Sequence, residues 1–209
     1  KYAFRKYKIK TVENKHTHLV PEELEQLERL SLTDKHMKLQ KSLDAFLFCC
    51  YAGMRYSDFT NLSKKNIVDI NQETWLIYKS VKTGTEVRLP LYLLFAGKGI
   101  VILNKYRNNL EDFFRLRDNS NINKDLIIIA KLAGLSKKIS FHTARHTNAT
   151  LLIYNGVNIT TVQKLLGHKS VKTTQVYTNI MDMTIVHDLE KIKQAALGIK
   201  KKTDNSFNK

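Results

Sequence analysis

Acidic residues are scarce in this sequence. Nineteen Asp and Glu stand against 35 Lys and Arg, a formal net charge of +16 over 209 residues. A surplus of that size attracts polyanions, with nucleic acid first among them. Cysteine is nearly absent too: the two present, Cys49 and Cys50, are adjacent in an apolar helical run. Neighbours on a helix diverge and do not easily bridge, so they are expected to be buried thiols in a reducing compartment. No apolar run approaches the roughly twenty residues of a membrane span. No signal peptide, amphipathic anchor or lipidation site is recognisable, and there is no internal repeat or low-complexity segment.

What is present reads as one domain, large enough to bury a core. Residues 1–18 are expected to be a basic linker or tail, 19–198 the domain, and 199–209 a basic, disordered tail. The chain opens without an initiator Met and is expected to be a fragment whose N-terminal neighbour is missing. Val20-Pro21 followed by Glu22 and Glu23 predicts a helix start. Leu39, Leu43, Phe46, Leu47 and Cys50 predict a second helix, ended by Gly53. Arg55 then opens a short helix, with Asp58 on the same face.

Short β-branched or alternating runs at Ile67–Ile70, Thr74–Val81 and Glu86–Leu91 predict a small antiparallel sheet. Its last turn, Lys82-Thr83-Gly84-Thr85, suits a hairpin. Residues from Leu91 to Leu116 are expected to be mostly helical, Asp118 to Asn123 a polar break, and Asn123 to Leu135 another helix. Asp182 is expected to cap a last helix with Ile185, Leu189 and Ile192 in its apolar stripe. The fold class is mainly α with a small antiparallel β-sheet.

The densest chemistry lies between Ser140 and Asn179. Ser140 can cap a helix whose first turns carry His142, Arg145 and His146 on one face, with Gly156 just past its end. Thr160 or Thr161 starts the next helix, which Gly167 ends, leaving His168 on the turn. Ser170 caps a third, short helix carrying Tyr177. Two cations, an imidazole and a phenol brought close by tight turns suit a phosphodiester. His142 and His146, at i and i+4, have the spacing of a zinc pair, but no Glu lies between them and no third ligand follows.

With these residues set out, the chain resembles the tyrosine recombinase family, the phage-type integrases, over its catalytic domain from Leu19 to about Ala196. Arg55 lies in a Gly-hydrophobic-Arg-x-x-acid-hydrophobic pattern, with Asp58 in the acidic place. Lys82 stands eight residues before the Pro of Pro90-Leu91, and Lys79 lies nearby. The HxxR box is His142-Thr143-Ala144-Arg145. A Leu-Gly-His box gives His168, and Tyr177 follows nine residues later. All six family positions are filled.

The resemblance implies a fold, a reaction and partners. Tyr177 is the expected nucleophile, forming a 3′-phosphotyrosyl intermediate that needs neither ATP nor metal to rejoin. Arg55 and Arg145 are expected to grip the non-bridging oxygens, with Asp58 supporting Arg55. Lys82 is the expected general acid, His142 the base or proton shuttle, and His168 a hydrogen-bond donor to phosphate. No cofactor is implied. Double-stranded DNA is the implied partner, and a tetramer on DNA the implied assembly, in the cytoplasm at the prokaryotic nucleoid. The family's N-terminal core-binding domain is not expected within these 209 residues. Two other readings stand beside this one: a type IB topoisomerase, and a non-catalytic helix-turn-helix module over Ile159–Thr178.

Overall fold

The structure is a computed structural model that describes residues 17–177. Residues 1–16 of the expected N-terminal tail, the C-terminal tail and the helix expected from Asp182, with its Ile185, Leu189 and Ile192 stripe, lie outside the described residues. Helix α1 spans Pro21–Glu28, with Pro at its first turn and the Glu23 carboxylate accepting from the Val20 N–H. Helix α2 (Gln40–Ala52) is the centre of the molecule. Every residue from Ser42 to Ala52 is buried, so an all-round apolar sequence has become a core helix. Cys49 and Cys50 are free thiols inside it, and burial pushes both well above the ordinary thiol range.

A short helix α3 (Tyr56–Thr60) follows, then three strands, β1 (Ile67–Ile70), β2 (Glu73–Lys79) and β3 (Glu86–Pro90). They form an antiparallel sheet in the order β1-β2-β3, with Leu76 opposite both Ile67 and Leu89. The two-residue period turns Leu76, Tyr78, Val87 and Leu89 inward, and all four are buried. The three expected strands are therefore present, β1 with the expected bounds and β2 and β3 with ends shifted by one or two residues.

Beyond a 3-10 turn at Leu94–Gly97 come α4 (Lys98–Lys105), α5 (Leu110–Phe114) and α6 (Asn119–Leu132). Here the sequence expectation needs correction. The polar run Asp118 to Asn123 is not a break but the first turn of α6. The Asp118 carboxylate accepts from the Asn121 N–H, so the polar residues begin the helix instead of interrupting it. Helix α6 also ends earlier than expected, at Leu132, just ahead of Gly134 at φ +74°.

Helices α7 (Phe141–Tyr154), α8 (Ile159–Leu166) and α9 (Lys172–Gln175) complete the described chain. Ser140 is the N-cap residue of α7, and its N–H donates to the Thr143 hydroxyl. Helix α8 starts one residue earlier than expected because Asn158 caps it, accepting from the Thr160 N–H. Helix α7 packs along α2, while α1, α4, α5 and α6 cover the other sides of α2. Phe48, Phe59, Phe113 and Phe114 meet between these layers in edge-on and tilted contacts, with Phe59 to Phe113 at 5.3 Å between ring centroids. Each such side chain, fully buried, contributes roughly 1.5–3 kcal/mol. No helix among the described residues is long and apolar enough to cross a membrane.

Candidate active site

Gly53 ends α2 in the left-handed region, at φ +67°. A Cβ there would lie 2.6 Å from the Asn148 side-chain oxygen and 2.8 Å from a Leu166 methyl, so α7 and α8 close directly onto this glycine. Asn148 uses its amide to donate to the Cys50 and Tyr51 carbonyls, two of those left over at the end of α2. Arg145 reaches the carbonyl of the capping glycine itself. Its Nη1 donates to the Gly53 carbonyl and its Nη2 to the Leu166 carbonyl, both at 2.7 Å.

One guanidinium thus joins the C-terminal ends of α2 and α8, whose partial negative charge offsets part of its desolvation. Arg145 is 1% exposed. Burial, and then the charge of Arg55, pull its pKa down to about 10, which leaves it a cation at neutral pH.

Arg55 sits at the N-cap of α3. Its Nη1 is 3.4 Å from the Asp58 carboxylate and 3.3 Å from the Ser80 hydroxyl. Asp58, itself buried, accepts from the Val81 N–H at 2.8 Å and from Ser80 at 3.3 Å. The pairing expected between Arg55 and Asp58 is present, and Asp58 also anchors the start of the β2–β3 turn. Lys82 is exposed on that turn, and Lys79 is exposed at the end of β2. The turn is tied down a second time, where the Thr83 hydroxyl donates to the Gly167 carbonyl at 3.0 Å.

Gly167 ends α8 at φ +64°, and a Cβ on it would meet a Val87 methyl at 2.6 Å. His168 follows on the turn, as expected, and is 7% exposed. Its Nδ1 lies 2.9 Å from the Thr174 hydroxyl, and its backbone exchanges hydrogen bonds with Gln163. Burial lowers its pKa to about 3, assisted by the charges of Arg145, Arg55, His142 and Lys82 in that order. The imidazole is therefore neutral, and the four groups acting on it are sequence-predicted site residues.

Tyr177 lies two residues past the end of α9 rather than on it. Its N–H donates to the Thr174 carbonyl. It is 5% exposed, and its hydroxyl stands 3.1 Å from Nδ1 of His146. Burial raises the phenol pKa, while Arg145 and Arg55 act in the opposite direction. His142 is exposed, with its ring edge-on to that of His146 at 4.4 Å between centroids. The structure therefore gathers Arg55, Asp58, Lys82, His142, Arg145, His168 and Tyr177 around one region.

Sequence reasoning did not assign His146, Ser80, Thr83 or Thr174 to the site. His146 carried a signal, since it shares a helical face with His142 at i and i+4, but its contact with Tyr177 is tertiary. Among the described residues, no group of three or more His, Cys, Asp or Glu is placed to hold a metal ion.

Known proteins resemble this chain in sequence and in fold. Residues 18–183 match the model of the phage integrase family. A tyrosine recombinase of Pseudothermotoga lettingae is 30% identical over 181 residues, covering 84% of this chain and 60% of that protein. The tyrosine recombinase XerD of Bifidobacterium longum is 50% identical over 171 residues, covering 74% and 54% respectively. The chain thus spans little more than half the length of these curated relatives. Among solved structures, a XerA recombinase superposes with a TM-score of 0.66 at 25% identity, over 84% of this chain and 64% of that one. XerH bound to its palindromic difH substrate, in a post-cleavage complex, gives 0.62 at 22% identity over 87% and 52%. The latter likeness is one of fold.

Proposed function

The chain belongs to the phage integrase family, and from that premise we propose that it is the catalytic domain of a site-specific DNA recombinase that cuts and rejoins DNA through Tyr177. The observation that carries this reading is the position of one phenol: the Tyr177 hydroxyl lies in the joint field of Arg145 and Arg55, the same two guanidiniums that act on His168.

A phenol with an ordinary pKa near 10 is a weak nucleophile at neutral pH and must lose its proton as it attacks. Arg55 and Arg145 hold the non-bridging oxygens of the scissile phosphate and stabilise the charge that grows on the pentavalent transition state. Two hydrogen bonds from Arg145 to fixed backbone carbonyls aim its remaining N–H donors in advance. Asp58 and Ser80 do the same for Arg55. His168, kept neutral, donates a hydrogen bond to phosphate from its outer nitrogen while Thr174 holds Nδ1. Lys82 protonates the departing 5′ oxygen.

The product is a 3′-phosphotyrosyl enzyme, and attack by a 5′ hydroxyl reverses the step without ATP. The cations in place neutralise the phosphate, so the reading includes independence from metal ions. It also includes double-stranded DNA as partner, a homotetramer on paired sites, and a place at the nucleoid in the cytoplasm. The +16 charge and the likeness in fold to a lambda integrase bound to DNA support the choice of partner.

A nicked suicide substrate, from which the short 5′-OH piece diffuses away, tests the reading. The wild-type chain should form a denaturant-stable protein–DNA adduct in EDTA and without ATP, and Tyr177→Phe should form none while binding DNA as before. A DNA-binding module would give no adduct with either chain. An adduct persisting in the Phe variant would transfer the role to another residue, with Tyr154 the next to test.

A further inference from the structure

The proton that Tyr177 sheds has a nearby destination outside the set of residues expected from sequence. We propose that His146 is a catalytic residue, the base that accepts the Tyr177 proton through Nδ1. The proposal rests on the reading of Tyr177 as nucleophile and goes beyond it, since His142 is the base that the HxxR box leads one to expect.

His146 Nδ1 is 3.1 Å from the phenol oxygen, inside the range for a nucleophile and its base. The imidazole is 7% exposed and the phenol 5%, so bulk water is a poor competitor for the proton. Tyr177 is itself raised by burial, which makes a bare phenolate costly and an adjacent acceptor useful.

The imidazole is also held firmly. It projects from the first half of α7, between residues that are tied to other elements. Arg145 is bound to the ends of α2 and α8, the Thr147 hydroxyl accepts from the Leu19 N–H at 2.9 Å, and Asn148 is bound to the carbonyls of Cys50 and Tyr51. A reacting group on a helix fixed at successive positions keeps its aim better than one on a loop.

The other imidazoles fit the role less well. His168 has its Nδ1 engaged by Thr174 and a basicity depressed far below the ordinary range. His142 is exposed and meets the edge of the His146 ring, which suits it to flanking the base on its solvent side.

The Tyr177 oxygen forms its bond to phosphorus as its O–H bond breaks, and the proton passes to Nδ1 of His146. The bond from phosphorus to O5′ breaks with its electron pair on O5′, which takes a proton from Lys82. Rejoining runs the same transfers backwards, with His146 returning the proton to the phenol. His146 must therefore start with its hydrogen on Nε2 and Nδ1 bare.

Single-turnover cleavage of the suicide substrate tests this with two variants and a modified nucleophile. His146→Asn places a hydrogen-bonding amide near the position of Nδ1 but supplies no base, whereas His146→Phe fills space alone. Both should cleave about 100-fold more slowly or worse while binding DNA normally. Replacing Tyr177 with a fluorinated tyrosine, whose phenol is more acidic, should recover about tenfold or more in His146→Asn and change the wild type little. A 5′-bridging phosphorothiolate, which needs no acid for its leaving group, should recover nothing in His146→Asn.

Wild-type rates in His146→Asn overturn the base role, and so does a loss that fluorotyrosine leaves untouched, because that loss would be positional. Should both variants fail to fold, the ¹⁵N spectrum of the wild-type imidazole decides. An acceptor-type Nδ1 supports the assignment, and a protonated Nδ1 in the neutral ring overturns it. A wild-type chain that forms no adduct overturns the nucleophile reading and this proposal with it. A wild-type adduct with an unimpaired His146→Asn overturns this proposal alone.

Discussion

The Thr83 hydroxyl donates to the Gly167 carbonyl across 3.0 Å, bridging residues 84 apart in sequence. The bond joins the neighbour of Lys82 to the neighbour of His168, so two loops enter the site fastened together. Thr83→Val should cost about 1 kcal/mol of stability in urea unfolding, the net value of one hydrogen bond. It should also slow cleavage, because Lys82 loses its fixed base. In a Lys82→Ala background the same change should slow cleavage no further, which separates misplacement of the lysine from general loosening.

Lys82→Ala should lower the cleavage rate about 100-fold, the usual order for a missing general acid, with a smaller effect on DNA binding. A 5′-bridging phosphorothiolate substrate should restore most of the rate. Lys79→Ala serves as the comparison, since Lys79 is the other exposed lysine at this hairpin. Rescue of Lys79→Ala in place of Lys82→Ala would move the acid three residues back, to the end of β2.

Gly167→Ala should destabilise the fold by about 2–4 kcal/mol, through a left-handed backbone and the 2.6 Å approach to Val87. Combining it with Val87→Ala should cost less than the two single changes added together, by about 1 kcal/mol, because the methyl in the way is gone. The backbone strain remains in the double variant, so recovery should be partial. Denaturant midpoints of the four chains complete the cycle.

His168 has a folded pKa near 3 against an ordinary value of 6.5. As pH falls, the unfolded chain takes up this proton first. The contribution of a neutral His168 is therefore whole above about pH 6.5 and declines steadily as pH drops toward 3. His168→Gln, which does not titrate there, should show a shallower loss of stability between pH 6.5 and pH 4 than wild type. Parallel acid slopes in the two chains would contradict the assignment.

Much of this organisation was legible because it rests on local chemistry. Pro21 with Glu22 and Glu23, the cap at Ser140, and the glycines at 53 and 167 each mark an element end through backbone geometry that their neighbours in sequence determine. The errors have equally local causes. The Asn and Ser run after Asp118 reads as a break because those residues are weak helix formers, yet one carboxylate satisfying a first-turn N–H begins a helix there. Asn158 pre-empts Thr160 in the same way.

The motif residues Arg55, Arg145, His168 and Tyr177 stood out by spacing. Nothing in that spacing says that Arg145 reaches two helix ends, that Thr83 meets Gly167, or that Tyr177 meets His146. These contacts join residues 21 to 92 positions apart and exist only once α2, α7, α8, the β2–β3 turn and the segment after α9 have come together.

The double duty of Arg145 bears on how a disused copy of this gene would decay. Losing the Tyr177 hydroxyl removes one oxygen from a packed ring and leaves the fold standing. Losing Arg145 removes a hydrogen bond from each of two buried helix ends at once, so the chain would fail to accumulate before its inactivity mattered. Selection for a folded remnant, kept for DNA binding alone, would discard the nucleophile early and retain the arginine to the last. An intact arginine in a degraded copy is therefore a record of folding, and only the tyrosine is a record of use.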